Sequence, residues 1–205
     1  MLGQQVQKEN DKLSYSAFAA VGRSIFRSTI DGPSKFPTAE IRLGGSVTFK
    51  IAKQFDVLTR LDFGVKLKRE MYNKPGQPYT VTGPFMTLDE MAGKSHYFFE
   101  VPLFVQYRFP HPKLNVALGI NYRKFFNDYE SGVFNSFNAK NEVGAIGRFA
   151  YRLNSKFSIG VEYFIAFTKI YGVTGTYDGE EYTMTTRNEF AQITLDYKVN
   201  FRKGN

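Results

Sequence analysis

The chain has 205 residues, 27 Lys and Arg against 19 Asp and Glu, a formal charge of +8, and neither Cys nor Trp. That length suits one domain or one barrel, and the absence of Cys excludes disulfide frameworks, thiolate metal sites and cysteine nucleophiles. No stretch approaches the ~18 consecutive apolar residues of a membrane-crossing helix, whereas a crossing β-strand needs only about 9–11 residues, half of which can be polar.

In chain order, period-2 alternation marks eight runs, at 13–27, 39–51, 55–71, 97–109, 114–126, 140–153, 157–171 and 184–202. The first, "SYSAFAAVGRSIFRS", puts Arg23 on the face of Val21 and Ile25, which calls for a rim position where Arg can snorkel or a bulge near Gly22. The second and third set Ile41, Leu43, Phe49, Leu61 and Phe63 against Arg42, Gly44, Arg60, Asp62, Gly64 and Lys66. The fourth, "HYFFEVPLFVQYRF", alternates Tyr97, Phe99, Val101, Leu103, Val105, Tyr107 and Phe109 with Phe98, Glu100, Pro102, Phe104, Gln106 and Arg108. The fifth to eighth continue the pattern. Leu118, Ile120, Val161 and Ile193 lie on one side, and Arg123, Arg148, Arg152, Glu162, Asp196 and Lys198 on the other.

The separators alternate in length: short at 52–54, 110–113 and 154–156, long at 28–38, 72–96, 127–139 and 172–183. In an up-and-down antiparallel barrel every second connection lies at the same rim, so one rim carries turns and the other loops, as in bacterial outer-membrane barrels. The expected fold is all-β, an eight-stranded antiparallel up-and-down transmembrane β-barrel over 13–202. Residues 1–12 form a periplasmic N-terminal segment and 203–205 a periplasmic tail, in a cell outer membrane. No helix is expected. The start, "MLGQQVQKENDKL", has no 7–15-residue apolar core, so the protein is not exported or a leader has been removed.

A soluble barrel of eight strands would turn the apolar face inward, but such an interior is only just wide enough for side chains to fill. The bulky set overfills it and must face outward, leaving small residues and charges for the bore. Unpaired charge in a low-dielectric interior is costly. An ion-pair network of Arg42, Arg60, Asp62, Glu100, Arg108, Arg123, Arg148, Glu162 and Asp196 is therefore expected inside. Aromatic belts are expected at both edges of the apolar band, with Phe49, Phe55, Tyr107, Phe109, Tyr151, Phe157, Tyr197 and Phe201 at the turn rim. Tyr72, Tyr97, Tyr122, Phe167 and Tyr171 would stand at the loop rim.

"YFFEVPLFVQYRF", with Glu100 and Pro102 as Glu-x-Pro, resembles the "EIPLLLKY"-like strand of PorT-type outer-membrane β-barrel proteins of Bacteroidetes. The resemblance implies an eight-stranded barrel with a cleaved signal peptide and, for some members, a part in type IX protein secretion and gliding. It also implies a closing terminal aromatic; here the chain runs past Phe201 to "RKGN".

Candidate chemistry is sparse. The two histidines, His96 and His111, fall at opposite rims and cannot share a metal. Ser95 and His96 with Asp89 and Glu90 could serve a lipid-A-modifying enzyme only if folding brought them together. Glu100 and Glu162 are expected to pair with bore cations instead of acting as glycosidase carboxylates. The acids of "TLDE" and "GVTGTYDGEEYT" lack the spacing of a calcium loop. Arg23, Arg27, Lys35, Lys94 and Arg187 are candidates for lipopolysaccharide phosphates. Basic and aromatic residues on opposite strand faces disfavour nucleic acid. The expectation is a non-enzymatic protein without metal or cofactor. Its partners are outer-membrane lipid, lipopolysaccharide and proteins of an outer-membrane complex, docked through external loops at Tyr79, Phe85, Met86 and Tyr177. A narrow ion-conducting channel and, less favoured, a lipid-A-modifying enzyme are the alternatives.

Overall fold

The computed structural model describes residues 12–28, 32–33, 38–67, 95–110, 113–126, 136–138, 141–169, 171–177 and 180–199. The barrel strands are β1 (Leu13–Ser28), β3 (Thr38–Lys50), β4 (Phe55–Lys66), β5 (His96–Arg108), β6 (Leu114–Phe125), β8 (Asn141–Arg152), β9 (Phe157–Ala166) and β11 (Glu180–Val199). Three short strands, β2 (Gly32–Pro33), β7 (Ser136–Asn138) and β10 (Tyr171–Tyr177), add to it at the loop rim. Each barrel strand pairs antiparallel with the next, and β11 returns to β1 from Tyr15↔Val199 to Ser28↔Thr186. Closure leaves the eight-strand wall without a free edge, the condition for a sheet in hydrocarbon.

The alternation in the sequence becomes the two faces of this wall. Leu43 is 62% exposed, Leu118 70% and Ile120 58%, while Phe104, Glu100 and Arg123 are 0% exposed. Val101 and Leu103 also point outward. Hydrocarbon and rings thus face the surroundings, and the charges face the axis.

Short turns tie the far rim. Between β8 and β9 the Asn154 side chain accepts from the amides of Lys156 at 2.8 Å and Phe157 at 2.9 Å, an Asx-type turn that satisfies donors the ladder has left behind. Between β3 and β4, the amides of Ile51 and Ala52 both donate to the Phe55 carbonyl at 3.0 Å.

Two differences from expectation concern strand ends. β4 ends at Lys66 with Leu67 outside it, residues 68–71 of the third run lying outside the described residues, and the seventh run breaks after Ala166 before resuming as β10. Residues 172–183, expected as a loop, instead belong largely to the β10–β11 hairpin, paired from Tyr171↔Thr186 to Tyr177↔Glu180. Residues 1–11, 68–94, 111–112 and 200–205 lie outside the described residues, and with them Tyr72, Phe201, His111, Lys94, Asp89 and Glu90. The expected periplasmic tail and all of the N-terminal segment but Lys12 lie there too.

Pro102 is unusual in a paired strand because it has no N–H to give. The β4–β5 ladder runs to Thr59↔Leu103 and resumes at Asp62↔Glu100, omitting Arg60 and Leu61. The Thr59 hydroxyl donates to the Pro102 carbonyl at 3.1 Å across this gap. Glu-x-Pro therefore sets both Glu100 and Pro102 toward the axis, one charged and one without a donor.

Candidate functional site

The bore is filled by two charged layers with rings packed against the cations of each. At the loop rim, Glu40 and Arg42 on β3 face Glu100 on β5, Arg123 on β6 and Glu142 on β8. Arg42 donates through Nε to Glu40 at 2.6 Å and also pairs with Glu100. Arg123 donates to Glu100 at 2.9 Å and to Glu40 at 3.0 Å, and lies 3.8 Å from Glu142. Asn121 adds a donor to Glu100 at 3.1 Å. Lys66 reaches Asn188 at 3.1 Å; Asn188 in turn donates to Glu142 at 3.1 Å and accepts from Ser24 at 2.6 Å.

Deeper, Arg60 on β4 donates two bonds to Glu162 on β9, at 2.5 and 2.9 Å, and its Nε lies 3.1 Å from Asp62. Gln192 also donates to Glu162, at 2.5 Å. Arg148 pairs with Asp196 and stands 3.6 Å from Glu162. Nearest the turns, Arg108 meets Asp56 at 2.8 Å. All nine bore residues expected from the sequence face the axis, and eight are joined by ion pairs into these two layers, with Arg108 at the mouth.

The sequence reading named Lys66 as a bore charge but left it outside the network. It missed Glu40, Glu142, Asn121, Asn188 and Gln192, although each shares strand parity with a named residue, which is the signal that finds them. Arg152 and Lys198 were expected inside. Arg152 is exposed at the turn rim and Lys198 is half-buried, because both stand at strand ends where the bore opens. His96 is buried and faces the bore opposite Lys66. Among the described residues no cluster of three His, Cys or acidic side chains could hold a metal. Tyr79, Phe85 and Met86 lie outside the described residues, and Tyr177 closes β10.

A second correction concerns the rings. Small residues and charges were expected to dominate the bore, with only Phe98 and Phe104 placed on that face by the alternation, yet Phe18, Phe125, Phe164 and Phe190 are buried there too. They fit because glycines make room. A Cβ at Gly64 would land in the Phe98 ring, and one at Gly144 would strike Phe164. The rings also lie under the cations: the Arg42 guanidinium carbon is 3.8 Å from the Phe190 centroid, Arg60 3.8 Å from Phe18 and Arg123 4.1 Å from Phe98. Phe164 and Phe190 stack at 4.8 Å. Carboxylates at the edge of a guanidinium and a ring against its face offset its loss of water, although Arg60 Nε has no hydrogen-bond acceptor and meets Asp62 only as an ion pair.

A closed barrel with hydrocarbon outside and paired charges packed within is a transmembrane β-barrel of the small outer-membrane type. No family model matches the chain, and no curated protein matches it in sequence. Three solved structures show what it is similar to. The outer membrane protein AlkL, determined in DMPC bilayers, is 12% identical with 100% of both chains covered and a TM-score of 0.47. Ail, the attachment invasion locus protein of Yersinia pestis, is 9% identical, covering 91% of this chain and 98% of its own, with a TM-score of 0.47. OprG from Pseudomonas aeruginosa is 14% identical, covering 92% and 95%, with a TM-score of 0.43. The likeness is one of general form. The fold rests on the closure of β1 against β11 and on the two faces of the wall.

Proposed function

We propose that the chain is a non-enzymatic outer-membrane barrel, with termini in the periplasm, that works as a scaffold or accessory subunit of a larger envelope complex. The observation that carries this is the filled bore: Arg42, Glu100 and Arg123 have fully buried side chains, locked to one another across the axis. A barrel so packed offers no wide passage, so its working surfaces are the wall and the loop rim. The β10–β11 hairpin extends the sheet at that rim, and long loops on a rigid frame are where binding resides. The Glu-x-Pro strand favours the PorT-type family, with protein secretion as the setting. The docking residues are Tyr79, Phe85, Met86 and Tyr177.

Affinity isolation from native membranes tests the reading. A protein should co-purify with the barrel and be lost when Tyr79, Phe85 and Met86 are replaced by Ser; a barrel that always purifies alone overturns the docking role. Planar-bilayer recording tests the closed bore. No steady conductance is expected, and discrete openings abolished by neutralising Arg60 and Glu100 would favour a narrow channel. The channel is the second reading, supported by Asp62, whose carboxylate oxygens have no hydrogen-bond donor despite burial.

A further inference from the structure

Of the two ways to reconcile Arg23 with the first run, the bulge is excluded. No bulge intervenes: Val21↔Ile193, Gly22↔Gln192 and Arg23↔Ala191 continue in register, so Arg23 lies on the outer wall. It is exposed and has no ion-pair or hydrogen-bond partner among the described residues. Glu189, opposite Ile25, is the carboxylate in adjoining register, and it accepts the Tyr163 hydroxyl at 2.8 Å from the β9 side, away from β1.

Arg23 also stands at the head of an apolar groove in the wall. The groove follows one ladder row, Arg23–Ala191–Tyr163–Gly147–Leu118, across β1, β11, β9, β8 and β6, with Ile193 and Ile165 as its banks. Strand stagger makes this row oblique. Counted from the turn-rim aromatics Tyr15, Tyr197, Phe157 and Tyr151, its members stand eight, six, six and four residues up their strands. The row therefore descends from the loop-side edge of the apolar band toward its middle. Four strand spacings of ~4.8 Å give it a length of roughly 19 Å, within the reach of a long acyl chain.

Gly147 supplies a separate observation. The bore glycines are required by what lies against them, but a Cβ at Gly147 would meet only Leu118 Cδ2, at an ordinary 3.6 Å. Nothing in the fold demands glycine there. Gly45 on β3 is as open, but Gly147 lies in the floor of the groove, where close approach of a ligand is one of the uses of a strand-interior glycine.

We propose that this groove binds a phosphorylated, acylated glycolipid of the outer leaflet, lipid A, with Arg23 on a phosphate and one acyl chain lying across Ala191 and Gly147. The choice of leaflet rests on the orientation given above, with the long-loop rim outside. An unpaired guanidinium beside hydrocarbon matches a lipid that is anionic at one end and apolar at the other.

The test uses the full chain in detergent micelles, titrated with bisphosphorylated lipid A and, separately, with phosphatidylglycerol, the bound lipid being counted by native mass spectrometry. One lipid A per barrel should be retained in preference to phosphatidylglycerol. Arg23→Gln should lower its affinity roughly tenfold. Gly147→Leu, which fills the groove without touching Arg23, should lower it to a similar extent, and Arg23→Lys should keep most of it. Heat-modifiable electrophoretic mobility verifies folding, and Ala191→Leu replaces Gly147→Leu if the latter does not fold. Equal retention of phosphatidylglycerol, or retention unchanged in both Arg23→Gln and the groove-filling variant, overturns the proposal. Orientation is read independently, from labelling of Tyr79→Cys in whole cells with an impermeant thiol reagent. The chain has no native Cys to interfere, so the two ideas can fail separately.

Discussion

The two ends of the bore use the same chemistry to different effect. At the loop rim, Glu40, Glu100 and Glu142 face Arg42, Lys66 and Arg123, and none of the six is more than 2% exposed. At the turn rim, Asp56 meets Arg108, whose side chain is 27% exposed. The first set forms a closed net in which Glu40 and Glu100 are each shared between two guanidiniums. The second is one ion pair, with Gln106 also donating to Asp56 at 3.3 Å, beside the mouth where Arg108 meets solvent. Removing one member of the buried net leaves charges with no water to turn to, whereas at the turn rim Asp56 is buried but Arg108 keeps access to solvent, so water can take over part of a lost partner's role.

That contrast can be broken by substitution, starting where the effect is largest. Arg123→Ala leaves Glu40 and Glu100 without their common partner and should destabilise the barrel by about 3–5 kcal/mol. Urea unfolding in detergent reads this directly, and a loss below 1 kcal/mol would show that the net is not cooperative. On the outer wall, Leu118→Arg places a charge in the apolar band and should cost about 2–4 kcal/mol for folding into lipid vesicles. A tolerated Arg there would contradict the orientation of the wall. Gly64→Val pushes into the Phe98 ring and should cost about 1–3 kcal/mol by overpacking, seen as a lowered urea midpoint with folding retained. Asp56→Asn keeps an acceptor for Gln106 and leaves Arg108 access to water, so it should cost about 1–2 kcal/mol, less than Arg123→Ala; a value matching Arg123→Ala would erase the distinction between the two ends.

The strands were legible because period-2 alternation is the direct imprint of a two-faced wall, and the rhythm of short and long connections carried the order of the hairpins. Bore residues followed from parity once the outer face was fixed. The six bore phenylalanines were not legible as a group, since a ring on the polar face makes sense only beside the glycine that makes room for it on a neighbouring strand. The pairing Gly64↔Phe98 is set by register, which alternation alone does not reveal. The β10–β11 hairpin was hidden by a stretch of Thr, Gly and acidic residues. Its signal was Asp178-Gly179, a hairpin dipeptide flanked by residues that alternate. Arg23 looked like an exception to the pattern because its reason lies across four strands, in the groove it heads.

Pro102 gives the β4–β5 seam a local weak point. With no amide hydrogen at that position, the contact between β4 and β5 is interrupted midway along its length, while the rows to either side continue. Amide protons of β4 beside the interruption should exchange sooner than those at the same height on β8 or β9. The seam as a whole stays well paired, from Phe55↔Tyr107 to Lys66↔His96, so the opening expected at Pro102 is a local one.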